Sequence, residues 1–217
     1  MSKNTTLLVV AGIVAGPFFI ASSILHGFLR DGFNMVHHPA SLLSLGEWGW
    51  VQIATFVITG LLYIALGFGI RGILKSGIGS RFVSPLFIVL GLAMIAGGVF
   101  TPDPSLGFPP GTAAGVPETM SWHAMLHGFA PIFGFLALVI ALIILGRRFG
   151  KRGELIWMWV TVVVAIMTFI LSSLSSFTGN WETGEFNFVP LWVGVTLGYS
   201  YTSLILYTLL QQGMKEK

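Results

Sequence analysis

Six apolar runs divide the chain, at residues 6–29, 51–74, 82–100, 121–145, 156–177 and 191–210. Each is about as long as the ~20 residues that carry an α-helix across the hydrocarbon core of a bilayer. Polar and apolar positions do not alternate within the runs, as they would in a barrel strand. Backbone in hydrocarbon must satisfy its own hydrogen bonds, and for runs of this kind only the helix does so. The pattern therefore predicts an all-α polytopic membrane protein, with residues 1–217 forming one six-helix transmembrane domain. The first run follows Lys3 as a signal peptide would. It is too long for a signal-peptide core and reads as a retained first span.

Composition strengthens this reading. Charged residues make up 9% of the chain and apolar ones 54%, where soluble domains carry about 25% charged residues. The absence of cysteine removes disulfides, thiolate metal sites and cysteine nucleophiles. No Lys/Arg cluster interleaves with aromatics on a polar surface, so nucleic acid is not an expected partner. The lipid bilayer is, with a lipid or small apolar molecule as the expected ligand. The pattern does not specify an oligomeric state.

The charges sort by side. Lys3, Arg71, Lys75, Arg81, Arg147, Arg148, Lys151, Arg152, Lys215 and Lys217 fall at one end of the spans, and Arg30 alone falls at the other. Asp31, Glu47, Asp103, Glu118, Glu182 and Glu185 fall with Arg30, while Glu154 and Glu216 fall with the basic group. The positive-inside rule then predicts a multi-pass protein of the cell membrane with both termini cytoplasmic. Trp48, Trp50, Trp122, Trp181 and Trp192 would form an outer aromatic belt, with Trp157 and Trp159 on the inner side.

The outer connections are the long ones, at residues 30–50, 101–120 and 178–190. Long ordered loops are often functional, and the prolines of TPDPSLGFPPG stiffen the second. Hydroxyls and amides are also lopsided: Ser22, Ser23, Gln52, Thr55, Thr59, Ser172, Ser173, Ser175 and Ser176 lie in the outer halves of their spans. This suggests a polar cavity that opens outward. The competing reading has these groups bonding to their own helix or a neighbour. Gly12/Gly16, Gly194/Gly198 and Ala93/Gly97 are small-residue pairs expected to pack helices within the bundle. Pro17 and Pro131 are expected to kink the first and fourth spans.

All five histidines, His26, His37, His38, His123 and His127, fall at the outer face. His123 and His127 lie four apart, hence on one helix face, with a spacing that suits two ligands of one metal. His26, His37, His38, Asp103 or Glu118 could complete a three-ligand zinc site. A second reading is haem b, held between His26 and His127 on different helices. A third is structural, with histidines bonding loop carbonyls or headgroups and His37-His38-Pro39 holding an extended loop. Ser41, Ser121 or Ser172 could act as a nucleophile beside a histidine, but no spacing selects one.

His38-Pro39-Ala40-Ser41-Leu42-Leu43-Ser44-Leu45-Gly46, followed by Gly49-Trp50-Val51-Gln52, resembles the entry to the second span in a family of small prokaryotic membrane proteins. So do Thr101-Pro102-Asp103-Pro104, Gly107-Phe108-Pro109-Pro110-Gly111 and the later His123 and His127. That family is catalogued as domain of unknown function 998. The resemblance covers nearly the whole chain and implies a six-helix fold. A fainter likeness is to the alkaline-ceramidase and progestin-receptor-like membrane hydrolases, seven-helix bundles that use histidines, an aspartate and a serine around zinc. By that likeness His123, His127 and Asp103 would take such parts in a six-span chain.

The resulting expectation is an outward-facing site that includes His26, His38, Ser41, Asp103, His123 and His127 and binds a small or lipid-like ligand, either directly or through a metal held by His123, His127 and His26. Its enzymatic version is a zinc-dependent lipid hydrolase with Asp103 or Glu118 as base. Its other versions are a haem-binding electron-transfer protein and a transport or accessory subunit without catalysis.

Overall fold

The computed structural model describes residues 1–180 and 183–215. The assignments made above for Trp181, Glu182, Glu216 and Lys217 lie outside the described residues. Six α-helices follow in order: α1 (Lys3–Leu29), α2 (Gly49–Ile70), α3 (Val83–Val99), α4 (Trp122–Lys151), α5 (Leu155–Thr178) and α6 (Val189–Lys215). A short 3-10 helix, Ala40–Ser44, lies between α1 and α2. Five of the six are long and apolar enough to cross a membrane, and α3 is the shorter one at 17 residues. The protein is a polytopic helical membrane bundle.

Capping chemistry sets several ends. Ser2 accepts from the Thr5 N–H at the start of α1 (3.1 Å) and Ser121 from the Ala124 N–H at the start of α4 (3.1 Å). The apolar run that predicts α4 stops at 145, yet the helix continues through Arg147, Arg148 and Lys151. It ends at Lys151, and Gly153, with a φ of +80°, turns the chain back. Glu154 N–H then bonds Phe149 O and Gly153 N–H bonds Gly150 O, the paired pattern that satisfies the last carbonyls of a helix. Conversely, α2 ends at Ile70, short of the predicted 74. Gly72 and Ile73 donate three residues back in a tight turn. Leu74 stays buried just past this turn; hydrophobicity keeps it in the core without keeping it helical.

Each helix packs on the next in sequence, and α6 closes on α1 to complete a ring. Aromatic side chains fill its middle. Phe19 meets Phe56 (5.2 Å between centroids) and Tyr199 (5.6 Å), and Tyr63 meets Tyr199 (5.7 Å). The Tyr199 hydroxyl donates to Met94 Sδ at 3.1 Å. These contacts join α1, α2, α3 and α6 across the interior. The small-residue pairs act within the bundle as expected: Gly12 lies against Leu66, Gly16 against Tyr199, Gly194 against Ser172 and Gly198 against Thr168. One close approach between helix backbones is not flagged by pair spacing. A Cβ on Gly60 would stand 2.5 Å from Gly91 O, and one on Gly91 2.5 Å from Gly60 O.

Large apolar side chains face outward on every helix, among them Leu7, Leu61, Leu92, Phe133, Ile156 and Leu204. A soluble protein does not expose such a surface; here the bilayer covers it.

Candidate functional site

The connections 30–48, 100–121 and 179–188 meet at one end of the ring, called here the loop end. His38 is its keystone. It is 5% exposed. Its Nδ1 accepts from the Asn34 N–H at 3.0 Å, and its Nε2 lies 2.9 Å from Leu106 O. A carbonyl can only accept, so Nε2 carries the proton and the ring is neutral. Phe33 and Phe108 pack on it at 5.3 and 5.5 Å and meet each other edge-on at 5.4 Å. Burial holds the His38 pKa below its ordinary value; the Leu106 bond opposes this, and the neighbouring His37 lowers it further by a smaller amount.

Arg30, the one basic residue predicted at this end, donates to Leu43 O (3.3 Å) and Leu45 O (2.7 Å) and lies 5.1 Å over the Phe108 ring. Its charge is spent on folding the first loop. The third loop joins through His37 Nδ1 to Phe186 O (3.2 Å), Phe188 N–H to Val36 O (2.7 Å) and Trp192 Nε1–H to His38 O (3.1 Å). Trp192 is thus a staple between α6 and the first loop as well as a member of the aromatic end. Trp48, Trp50 and Trp122 are exposed as a belt requires, as is Trp159 at the other end.

Asp103 Oδ2 accepts the Ser121 N–H at 2.7 Å, where the α4 macrodipole favours negative charge. His127 Nδ1 lies 2.7 Å from Phe100 O and 3.1 Å from Gly97 O. It therefore donates to carbonyls that the end of α3 leaves without helical partners. His123, one turn earlier, packs its ring on Phe100 (5.8 Å) and Trp122 (3.8 Å). The helix spacing does bring His123 and His127 to a common neighbour, Phe100. Ser41 is half-buried in the 3-10 helix, and Glu118 is exposed. Among the described residues, no three His, Asp or Glu side chains stand close enough to hold a metal ion. The trio His123, His127 and His26 expected from spacing is therefore not assembled, because His127 turns to α3 while His26 faces α2.

His26 is the exception to this bonded pattern. It is 6% exposed, and neither ring nitrogen has a hydrogen-bond partner. Gln52 of α2 lies alongside it, near enough for a hydrogen-bonding interaction but outside well-formed geometry. Gln52 Nε2–H donates to Ser23 Oγ at 2.9 Å, leaving Gln52 Oε1 buried without a partner. The two side chains continue the inward stripes that carry Phe19 and Ser23 on α1 and Phe56 and Thr59 on α2. The other hydroxyls divide. Thr55 and Thr59 bond back to Val51 O and Thr55 O of their own helix. Ser172 and Ser175 are buried, with each Oγ unbonded; Ser172 packs on Gly194 of α6. Ser173 is half-buried and Ser176 exposed.

In the loop-end half, the α4 and α5 faces opposite the α1–α2 seam are little buried. Over residues 122–133 of α4 only Ala124 and Ala130 are buried, and Ala130 lies by Gly97 of α3. A Cβ on Gly128 would meet nothing. Over residues 166–178 of α5 only Thr168, Ser172 and Ser175 are buried, and Thr168 and Ser172 pack on glycines of α6. The α4–α5 contact lies toward the other end, where Gly146 and Gly150 receive Met158 and Phe149 meets Trp157. In the loop-end half, α4 and α5 turn unburied faces to the bilayer. Neither these unburied faces nor the buried pair His26/Gln52 could be read from spacing; both depend on which neighbour each helix face meets.

A family model described as "Protein of unknown function (DUF998)" matches residues 13–209. No curated protein and no solved structure matches the chain.

Proposed function

The chain belongs to the DUF998 family, and we propose that this integral membrane protein binds a neutral, lipid-like amphiphile in the loop-end half of its ring. The ligand enters between α4 and α5, and its polar group bonds His26 and Gln52. One observation carries the reading: His26 Nδ1 and Nε2 and Gln52 Oε1 are buried side by side, and the two side chains approach each other without closing a well-formed hydrogen bond. An unmade buried hydrogen bond costs about 1–3 kcal/mol, so native structures rarely keep several together. A hydroxyl or amide, which both donates and accepts, satisfies such a set. Arg30 nearby is already committed to Leu43 O and Leu45 O, which favours a neutral group over a phosphate. The stiff cap of His38, Phe33 and Phe108 then serves as a roof. The charge asymmetry of the sequence supports both termini facing the cytoplasm and the loop end facing out. Binding requires no metal and no catalytic step here.

The test is the lipid content of protein purified through a delipidating wash. The wild type is expected to retain one neutral amphiphile near stoichiometry. His26→Phe with Gln52→Leu and Ser23→Ala is expected to lose it while unfolding no earlier than wild type, since the unmade bonds and both partners of the Gln52–Ser23 bond go together. Bulk lipid alone in the wild type, equal retention by the variant, or a structure with only water at His26 would each overturn the reading. A reporter fused after Lys217 tests the orientation separately.

A further inference from the structure

We propose that the basic end of the ring carries a site for an anionic phospholipid, in a groove between the α2–α3 turn and the end of α4. The groove holds about 460 Å3 and is lined by residues 77–82 with Ile144 and Arg147. It stands independently of the ligand proposed at the loop end.

The basic residues at this end do different work. Arg148 donates to Ser76 O (2.7 Å) and Ile78 O (3.0 Å), pinning the turn that forms one wall. Arg71 Nε donates to Ser84 Oγ at 2.8 Å. Gly79, at φ +88°, brings the turn onto α4; a Cβ there would stand 3.1 Å from Ile144. Arg81 and Arg147 are exposed on the groove and make no hydrogen bond or ion pair among the described residues. Two guanidinium groups with free donor forks match a phosphodiester. No acid lines the groove. Glu154, the described acid at this end, receives Gln212 Nε2 at 3.5 Å.

The rest of the lining is apolar. Phe82 is 65% exposed, and Ile78 and Ile144 are half-buried. A soluble anion has no use for such a surface, whereas an acyl chain does. The groove also lies where the apolar helices end, the depth at which headgroups sit. Basic pockets between helices at that depth are a known way to hold acidic lipids.

Full-length protein in detergent, titrated with phosphatidylglycerol or phosphatidylcholine of matched chains and read by native mass spectrometry, tests the proposal. Phosphatidylglycerol is expected to bind more tightly. Arg81→Gln with Arg147→Gln should weaken it about thirtyfold, from roughly a factor of five per arginine. Lys75→Gln, which changes an exposed base outside the groove, should leave it within about twofold. Equal binding of the two lipids, an unaffected double variant, or an equal loss in the Lys75 variant would overturn the proposal. So would competition by glycerol phosphate, which carries the anion without the chains.

Discussion

Replacing His38 by alanine tests the claim that one neutral imidazole holds the loop end together. The substitution orphans the Asn34 N–H and Leu106 O, which it bonds at 3.0 and 2.9 Å. It also removes a buried ring from between Phe33 and Phe108. Each lost bond costs about 1 kcal/mol and the vacated volume about as much again. Asn34 is exposed and Leu106 half-buried, so water recovers part of the loss. We expect about 2–3 kcal/mol, expressed as local opening of the cap. Hydrogen exchange reads this directly, because the Leu106, Gly107 and Phe108 amides bond Gly115 O, Ala113 O and Ser105 O within the cap. Their exchange should accelerate about 30–150-fold, with α6 amides nearly unchanged. His38→Gln, which can still donate toward Leu106 but offers no ring, should fall between. Acceleration below about threefold at residues 106–108 would refute the keystone role, and so would an equal acceleration in α6.

Other outcomes follow from the same contacts. Because folding lowers the His38 pKa, the cap's stability is complete above about pH 6.5 and declines as pH falls from there through the folded value. Exchange of residues 106–108 at pH 5, corrected for intrinsic rate, should exceed that at pH 7.5, and His38→Gln should abolish the difference. His127→Ala leaves Gly97 O and Phe100 O without their donor and should destabilise by about 1–3 kcal/mol. His123→Ala removes ring contacts only and should cost less; thermal unfolding in detergent ranks the two, and the reverse order would contradict the assigned bonds. Gly60→Ala puts a Cβ 2.5 Å from Gly91 O and should force α2 from α3 at a cost of about 1–3 kcal/mol. Gly128→Ala meets nothing and should be neutral or gain up to about 1 kcal/mol in helix propensity.

The histidines show how far spacing carries. The i, i+4 relation brings His123 and His127 to the same neighbour, Phe100, as helix geometry requires. It says nothing of what lies across from them, which is the end of α3 with its surplus carbonyls. His38 and His37 belong to a loop whose path has no period, so their partners Leu106 and Phe186, far along the chain, could not be read. The haem reading pairs His26 with His127 across different helices; the ring order turns His26 to Gln52 instead. Arg30 breaks the charge pattern because it bonds carbonyls of its own loop, a reason that exists only once the loop is folded. The hydroxyls divide for a similar reason. Thr55 and Thr59 bond within their helix, a local option open to either residue in any fold, while Gln52 reaches across to Ser23.

The number of spans, their helical character, the sorting of charge and the glycine pairs all follow from the sequence alone. They depend on hydrocarbon thickness, backbone hydrogen bonding and side-chain size, which act on each segment by itself. The ring order, the Gly60/Gly91 contact, the unburied loop-end faces of α4 and α5 and the buried His26/Gln52 pair were decided by tertiary structure. An apolar helix offers nearly equivalent faces all round, so its sequence does not say which face meets protein and which meets lipid. Only packing does, and with it which polar groups find partners.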